Sequence, residues 1–305
     1  MKMKKLDIHC HVYKEKGFPR PDGSFYALPE DMFKIFEKKN VARGVILPEV
    51  HYEASMTGEV QNVEDVAEIC EKYPDKFYFF MNLCPHSFYK KPEADYSELI
   101  EYYLAMGAKG VGEMCENMTF YDPLMDNMLM YVNKYKLPFI FHMTRKEFCD
   151  YGIRDDENLS GLENALIKWK DITFLGHSAD FWAEISGDDI HSDYPPENAP
   201  VLPGGRVVEL MRKYPNLHGD LSAGSGCRAI MRDREFAISF LTEFQDRLYF
   251  GQDVCTPGDY GMMQSEYLDE LLESGDISQE VYDKICWKNA VKLLKLDLTE
   301  KDFML

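Results

Sequence analysis

The chain has no CxxC pair, no apolar run of membrane-spanning length, no internal repeat and no glycine-rich phosphate loop, and its 53 acidic residues outnumber its 34 basic ones. Each gap removes a class of protein. The eight cysteines, at 10, 70, 84, 115, 149, 227, 255 and 286, are scattered in a chain long enough to build a core without disulfides, so they read as reduced thiols. A formal charge of −19 without a Lys/Arg-rich stripe excludes nucleic acid and anionic membrane surfaces as partners and leaves a small molecule. The dinucleotide fingerprint G-x-G-x-x-G is missing, and "AGSG" at 223–226 is too short to replace it. No secretory apolar stretch precedes the first strand-like run, so the expected location is cytoplasmic.

What is present is a globular composition, 45% hydrophobic and 29% charged, with a regular alternation of short and long patterns. Apolar runs recur at 5–11, 44–48, 77–83, 108–114, 139–142, 172–177, 217–221 and 248–253. Between them lie amphipathic stretches such as "PEDMFKIFEKKN", "NVEDVAEICEKY", "PLMDNMLMYVNKY" and "GRVVELMRKYP", apolar at helical spacing with Gly or Pro near their ends. Eight strands alternating with helices predict an α/β fold, a closed (β/α)8 TIM barrel formed by residues 1–305 as one domain. The segments 12–28, 143–158 and 178–204 lack a helical pattern, and each follows a strand ending in histidine. In a barrel such loops open on the C-terminal face, where active sites are built.

The strand ends carry the chemistry. In "LDIHCHV", Asp7, His9 and His11 share one face and Leu6, Ile8, Cys10 and Val12 the other, so the two imidazoles can grip one cation from the barrel interior. Four further strand ends bear ligand-type residues: Glu113 in "GVGEM", His142 in "FIFHMT", His177 in "FLGHSAD" and Asp253 in "FGQDV". Six such groups around one opening predict a metal site, with Glu113 as ligand or bridge and Asp253 as the acid beside a metal-activated water that a general base requires. The other histidines, 51, 86, 191 and 218, fall outside the pattern and are expected at surface or loop positions.

The set "DIHCH", "FHM", "LGHS" and "GQD" resembles the metal-dependent amidohydrolase superfamily from Asp7 to about Leu294. "FLGHSADFWAEI", "LHGDLSAGSGCRAIMRD", "RLYFGQD" and the closing "ICWKNAVKLLKL" look most like the amidohydrolase-related branch that contains aminocarboxymuconate semialdehyde decarboxylase. The resemblance implies a (β/α)8 barrel whose metal is held by His9, His11, His142 and Asp253, with His177 as a second-metal ligand or catalytic imidazole. It also implies a homodimer. Gln252 stands where the family often has Thr, and Glu113 resembles the bridging glutamate of the deoxyribonuclease-like branch, which leaves one or two ions open. The expected activity is hydrolysis of an amide, ester or lactone-type bond by water activated on Zn2+ or Mn2+, with nonoxidative decarboxylation of a small carboxylic acid as the alternative. Arg145 and Arg228, with Arg232 nearby, are expected to clamp a substrate anion, "SAGSG" at 222–226 to offer backbone N–H groups to one, and Trp182 with Phe181 to close over an apolar substrate or pack on the barrel rim.

Overall fold

Element boundaries follow from local chemistry. Pro29 and Pro123 open helices where a missing N–H leaves nothing unpaired. Asn62, Asp122, Ser178, Asp233 and Ser278 cap helix starts with side-chain oxygens that accept backbone N–H groups. Asn40, Lys136 and Gly275 end helices in the left-handed conformation.

The computed structural model describes residues 1–20, 22–50, 61–145, 151–188, 199–258 and 262–305. The strands are β1 (Lys5–Cys10), β2 (Val41–Ile46), β3 (Phe77–Phe79), β4 (Val111–Met114), β5 (Pro138–Thr144), β6 (Ile153–Arg154), β7 (Thr173–His177), β8 (Leu217–Asp220) and β9 (Leu248–Tyr249). The first six helices are α1 (Pro29–Lys39), α2 (Val63–Lys72), α3 (Ser97–Ala105), α4 (Pro123–Tyr135), α5 (Ser160–Lys168) and α6 (Ala179–Ala183). They are followed by α7 (Arg206–Lys213), α8 (Ala223–Met231), α9 (Arg234–Glu243), α10 (Gln264–Ser274), α11 (Gln279–Asp283) and α12 (Asn289–Leu293), with a π-helical turn, Lys284–Lys288, between the last two.

Two parallel ladders, β1-β2-β3 and β4-β5-β7-β8-β9, run around the core, with β6 paired to β5. Isolated bridges Met81 to Val111 and Cys10 to Val254 join them, so the strands close into the expected barrel. At the second junction His11 N donates to Val254 O at 3.0 Å and Asp253 N to His9 O at 2.9 Å.

Every residue of β1 is buried, because one of its faces packs on helices and the other lines the barrel. At the N-terminal end of the lining, the Lys5 ammonium is buried and donates to Asp269 at 2.8 Å, which also accepts the Tyr282 hydroxyl at 2.6 Å. The histidines lie at the opposite end.

Two of the expected loops contain structure. Segment 178–204 holds α6, started by the Ser178 cap, and segment 143–158 holds the end of β5 together with β6. Among the described residues, no helix is long and apolar enough to cross a membrane.

Candidate metal centre

The alternation of β1 sends His9 and His11 inward, and their Nε2 atoms meet at 3.1 Å. Each ring is oriented from behind. His9 Nδ1 bonds Asp220 at 2.8 Å, and His11 Nδ1 bonds the Leu47 carbonyl at 3.0 Å, with Glu49 at 3.2 Å. With Nδ1 engaged, each Nε2 is turned toward the centre.

Glu113 enters from β4. Gly112 before it has φ +131°, and a Cβ there would stand 2.4 Å from the Ile140 carbonyl oxygen, so only glycine lets β4 lie this close to β5. The two carboxylate oxygens then divide their neighbours. Oε2 lies 3.3 Å from His9 Nε2 and 3.6 Å from His11 Nε2, while Oε1 lies 2.8 Å from His142 Nδ1 and 3.6 Å from His177 Nε2.

Asp253 completes the ring after β9. Its Oδ1 is 3.2 Å from His11 Nε2 and 3.4 Å from His9 Nε2, and its Oδ2 is 3.7 Å from His177 Nε2. Its backbone is left-handed at φ +57°, a conformation that costs an L-residue about 1–2 kcal/mol. The six predicted residues therefore converge on one point. Asp253 and His142 keep 19% and 21% side-chain exposure while the others keep 6% or less, so the cluster opens toward solvent on their side.

Charge compensation governs the cluster. Burial opposes a charged His9, yet the Asp253, Glu113 and Asp220 carboxylates outweigh it and hold the ring well above the ordinary imidazole range. Burial likewise opposes a charged His11, but Glu49 and Asp253 hold its pKa at about 9. Glu113 and Asp253 are pulled down against burial by the facing imidazoles, and so is Asp220 by its hydrogen bonds to His177 and His9. Asp7, buried and accepting the backbone N–H groups of His9 and Gln252, is pushed up to about 7 by desolvation.

The donor set fits a divalent cation. His9, His11 and Glu113 offer donor atoms within 4.8 Å of one another, as do Glu113, Cys115 and His142. Imidazole nitrogen with carboxylate oxygen is a ligand set for Zn2+ or Mn2+.

Sequence reasoning missed the residues that orient the histidine rings. Asp220 Oδ2 bonds both His9 Nδ1 and, at 3.1 Å, His177 Nδ1, while the Ser222 hydroxyl donates to the same oxygen at 2.6 Å. Asp220 stands at the end of an apolar run, in a segment that carries the resemblance, but nothing there marks its partners.

Several expected substrate contacts are placed differently. Trp182 is buried and donates its indole N–H to the Asp220 carbonyl at 3.0 Å, and Phe181 is fully buried beneath Gly176. Both pack into the barrel wall, the second of the two roles open to them, because α6 turns their face inward. Arg145 is bound to α6: its backbone N–H donates to Asp180 at 2.7 Å and its guanidinium pairs with Glu184. Arg232 is buried and bonds the Ala199 and Pro200 carbonyls, so it holds the chain rather than an anion. Arg228 lies half-buried on α8. Ser222 and the residues after it start α8, and a Cβ on Gly226 would stand 2.5 Å from Leu221 backbone. Of the remaining histidines, His86 sits after β3 and pairs with the buried Glu116, whereas His218 lies on β8, half-buried, and not at the surface. His51 and His191 lie outside the described residues.

No protein-family model matches the sequence, and no curated protein does. Solved structures do match. An uncharacterised TIM-barrel protein from Bordetella bronchiseptica aligns with TM-score 0.64 at 19% identity, over 96% of this chain and 98% of that one. A dihydroxybenzoic acid decarboxylase from Polaromonas, with bound manganese and 2-nitroresorcinol, aligns with TM-score 0.61 at 14% identity over 98% of this chain and 99% of that one. A putative 2-pyrone-4,6-dicarboxylic acid hydrolase from Pseudomonas putida aligns with TM-score 0.59 at 13% identity over 98% of this chain and all of that one. The chain thus shares, along nearly its whole length, the TIM-barrel fold of these decarboxylase and hydrolase structures.

Proposed function

We propose that the chain is an amidohydrolase-superfamily enzyme that uses divalent cations to hydrolyse an amide, ester or lactone-type bond of a small molecule. The observation that carries this reading is the divided Glu113 carboxylate, with one oxygen on the His9–His11 side and the other on the His142–His177 side. That division supports two cation positions bridged by one residue: His9, His11 and Asp253 on one side, and His142 and His177 on the other. Cations held there supply the positive charge that brings the pKa of water toward neutrality and polarises a carbonyl.

The protein groups do the rest. Asp253 is held ionised by three imidazoles and is among the more exposed members of the ring, so it accepts the proton of the attacking water and returns it to the departing amine or alcohol. Asp220 and Ser222 fix the His177 ring through Nδ1, which leaves the Nε2 lone pair facing Glu113 and Asp253, where it would hold the second cation. The products are a carboxylate and an amine or alcohol.

Nonoxidative decarboxylation is the second reading, favoured by the likeness to dihydroxybenzoate decarboxylases. In it Asp253 or His177 delivers a proton to the carbon that loses CO2.

Metal content per chain, measured on protein purified without chelator, tests the proposal together with a panel of neutral esters, lactones and amides. Two ions falling to one in Glu113→Ala, with a carboxylate product, is the expected result. A metal-free chain overturns the reading, and CO2 release from aromatic acids without hydrolysis replaces it with the second.

A further inference from the structure

Cys115 is buried and lies two residues beyond Glu113, where the chain leaves β4. Its sulfur, a Glu113 oxygen and a His142 ring nitrogen all lie within 4.8 Å of one another. Three donors at such separations can converge on one ion, since metal–sulfur and metal–nitrogen bonds run to about 2.3 and 2.0 Å.

The surroundings hold this trio in place. The Cys115 carbonyl accepts the Gly152 N–H at 2.7 Å, which ties the start of β6 against residue 115. Gly152 has φ +111°, and a Cβ there would stand 2.9 Å from His142 Cδ2, so the segment presses on the imidazole as closely as a backbone can. Tyr151 covers His142, with ring centroids 4.6 Å apart. Thiol, carboxylate and imidazole are thereby held side by side, with the imidazole at the edge of the cluster.

We propose that Cys115 ligates the second cation position with Glu113 and His142, which makes that position selective for a thiophilic ion such as Zn2+ over Mn2+. The inference rests on the two-cation reading above. Thiolate sulfur prefers Zn2+ to a hard ion that favours carboxylate and water, and on coordination the thiol proton passes to solvent. Cys255, partly exposed and grouped with His11 and Asp253 on the other side, is the comparison thiol.

The test is cobalt(II) reconstitution of the full chain, read by elemental analysis and by the near-ultraviolet thiolate-to-cobalt charge-transfer band. We expect two ions per chain and a band that Cys115→Ser and Cys115→Ala both abolish, with at least about tenfold weaker binding of the second ion. Cys255→Ser should leave the band and the stoichiometry intact, and circular dichroism should show all variants folded. Two bound ions without a thiolate band, or a band that survives Cys115→Ser or disappears in Cys255→Ser, overturns the assignment while the two-cation reading stands. A chain that binds no cobalt overturns that reading itself. On the unmodified protein, zinc should displace manganese from the second position, and equal retention of the two ions counts against a sulfur ligand.

Discussion

Asp220 shows how one side chain can orient two imidazoles without facing the centre of the ring. A single carboxylate oxygen receives the Nδ1 side of both His9 and His177, so both rings turn Nε2 inward. Asp220→Asn should weaken cation binding by about 10–100-fold while the barrel stays folded, as loss of an orienting carboxylate does elsewhere. Chelator competition measures this, and unchanged affinity would show that the rings are set by packing alone. The convergence of the histidines was legible because strand alternation and the end of an apolar run place a histidine on a known face. Asp220 was not, since one acid among 53 carries no mark of its partner. Trp182 was left between two roles for a related reason: an aromatic in a segment without periodicity reads the same whether it folds over a substrate or into the core.

At the scale of elements, close approach of β4 to β5 delivers Glu113. Gly112→Ala should cost about 3 kcal/mol or more, because the new methyl meets the Ile140 carbonyl and the backbone is in a region that L-residues avoid. Urea unfolding reads the loss, and a change under about 1 kcal/mol would mean that β4 shifts freely. The opposite end of the barrel behaves as support rather than site. Asp269→Ala strands the buried Lys5 ammonium and should destabilise by about 3–5 kcal/mol, with cation content per chain unchanged at a temperature where the variant is folded. Lost metal in that variant would contradict the separation of the two ends. The eight principal strands were legible from their apolar runs, but β6 was not, because two residues are too few to display a period.

For the whole molecule, acid sensitivity has a specific contributor in His218. Burial, aided by the Arg247 charge, holds its pKa down at about 3, against an ordinary value of 6.5 in the unfolded chain. The unfolded state therefore takes up the proton first, so this stability is fully present above about pH 6.5 and is lost as pH falls toward 3. The slope from one such group is at most about 1.4 kcal/mol per pH unit. His218→Phe should flatten the acid limb of a stability-against-pH curve from urea titrations, and parallel curves for the two proteins would clear His218 of the effect.

The two ladders of the barrel are joined by isolated bridges, Met81 to Val111 and Cys10 to Val254. His9 belongs to one ladder, Glu113, His142 and His177 to the other, and His11 and Asp253 stand at the second junction. Cations gripped by these residues would act as rivets across both seams of the barrel wall, mechanical fasteners as much as reagents. Stripping them should unzip the wall along its seams first, with hydrogen exchange rising at the amides that cross the joints, Met81, Gly112, His11 and Asp253. Uniform exchange around the barrel would mean that the wall closes without its rivets.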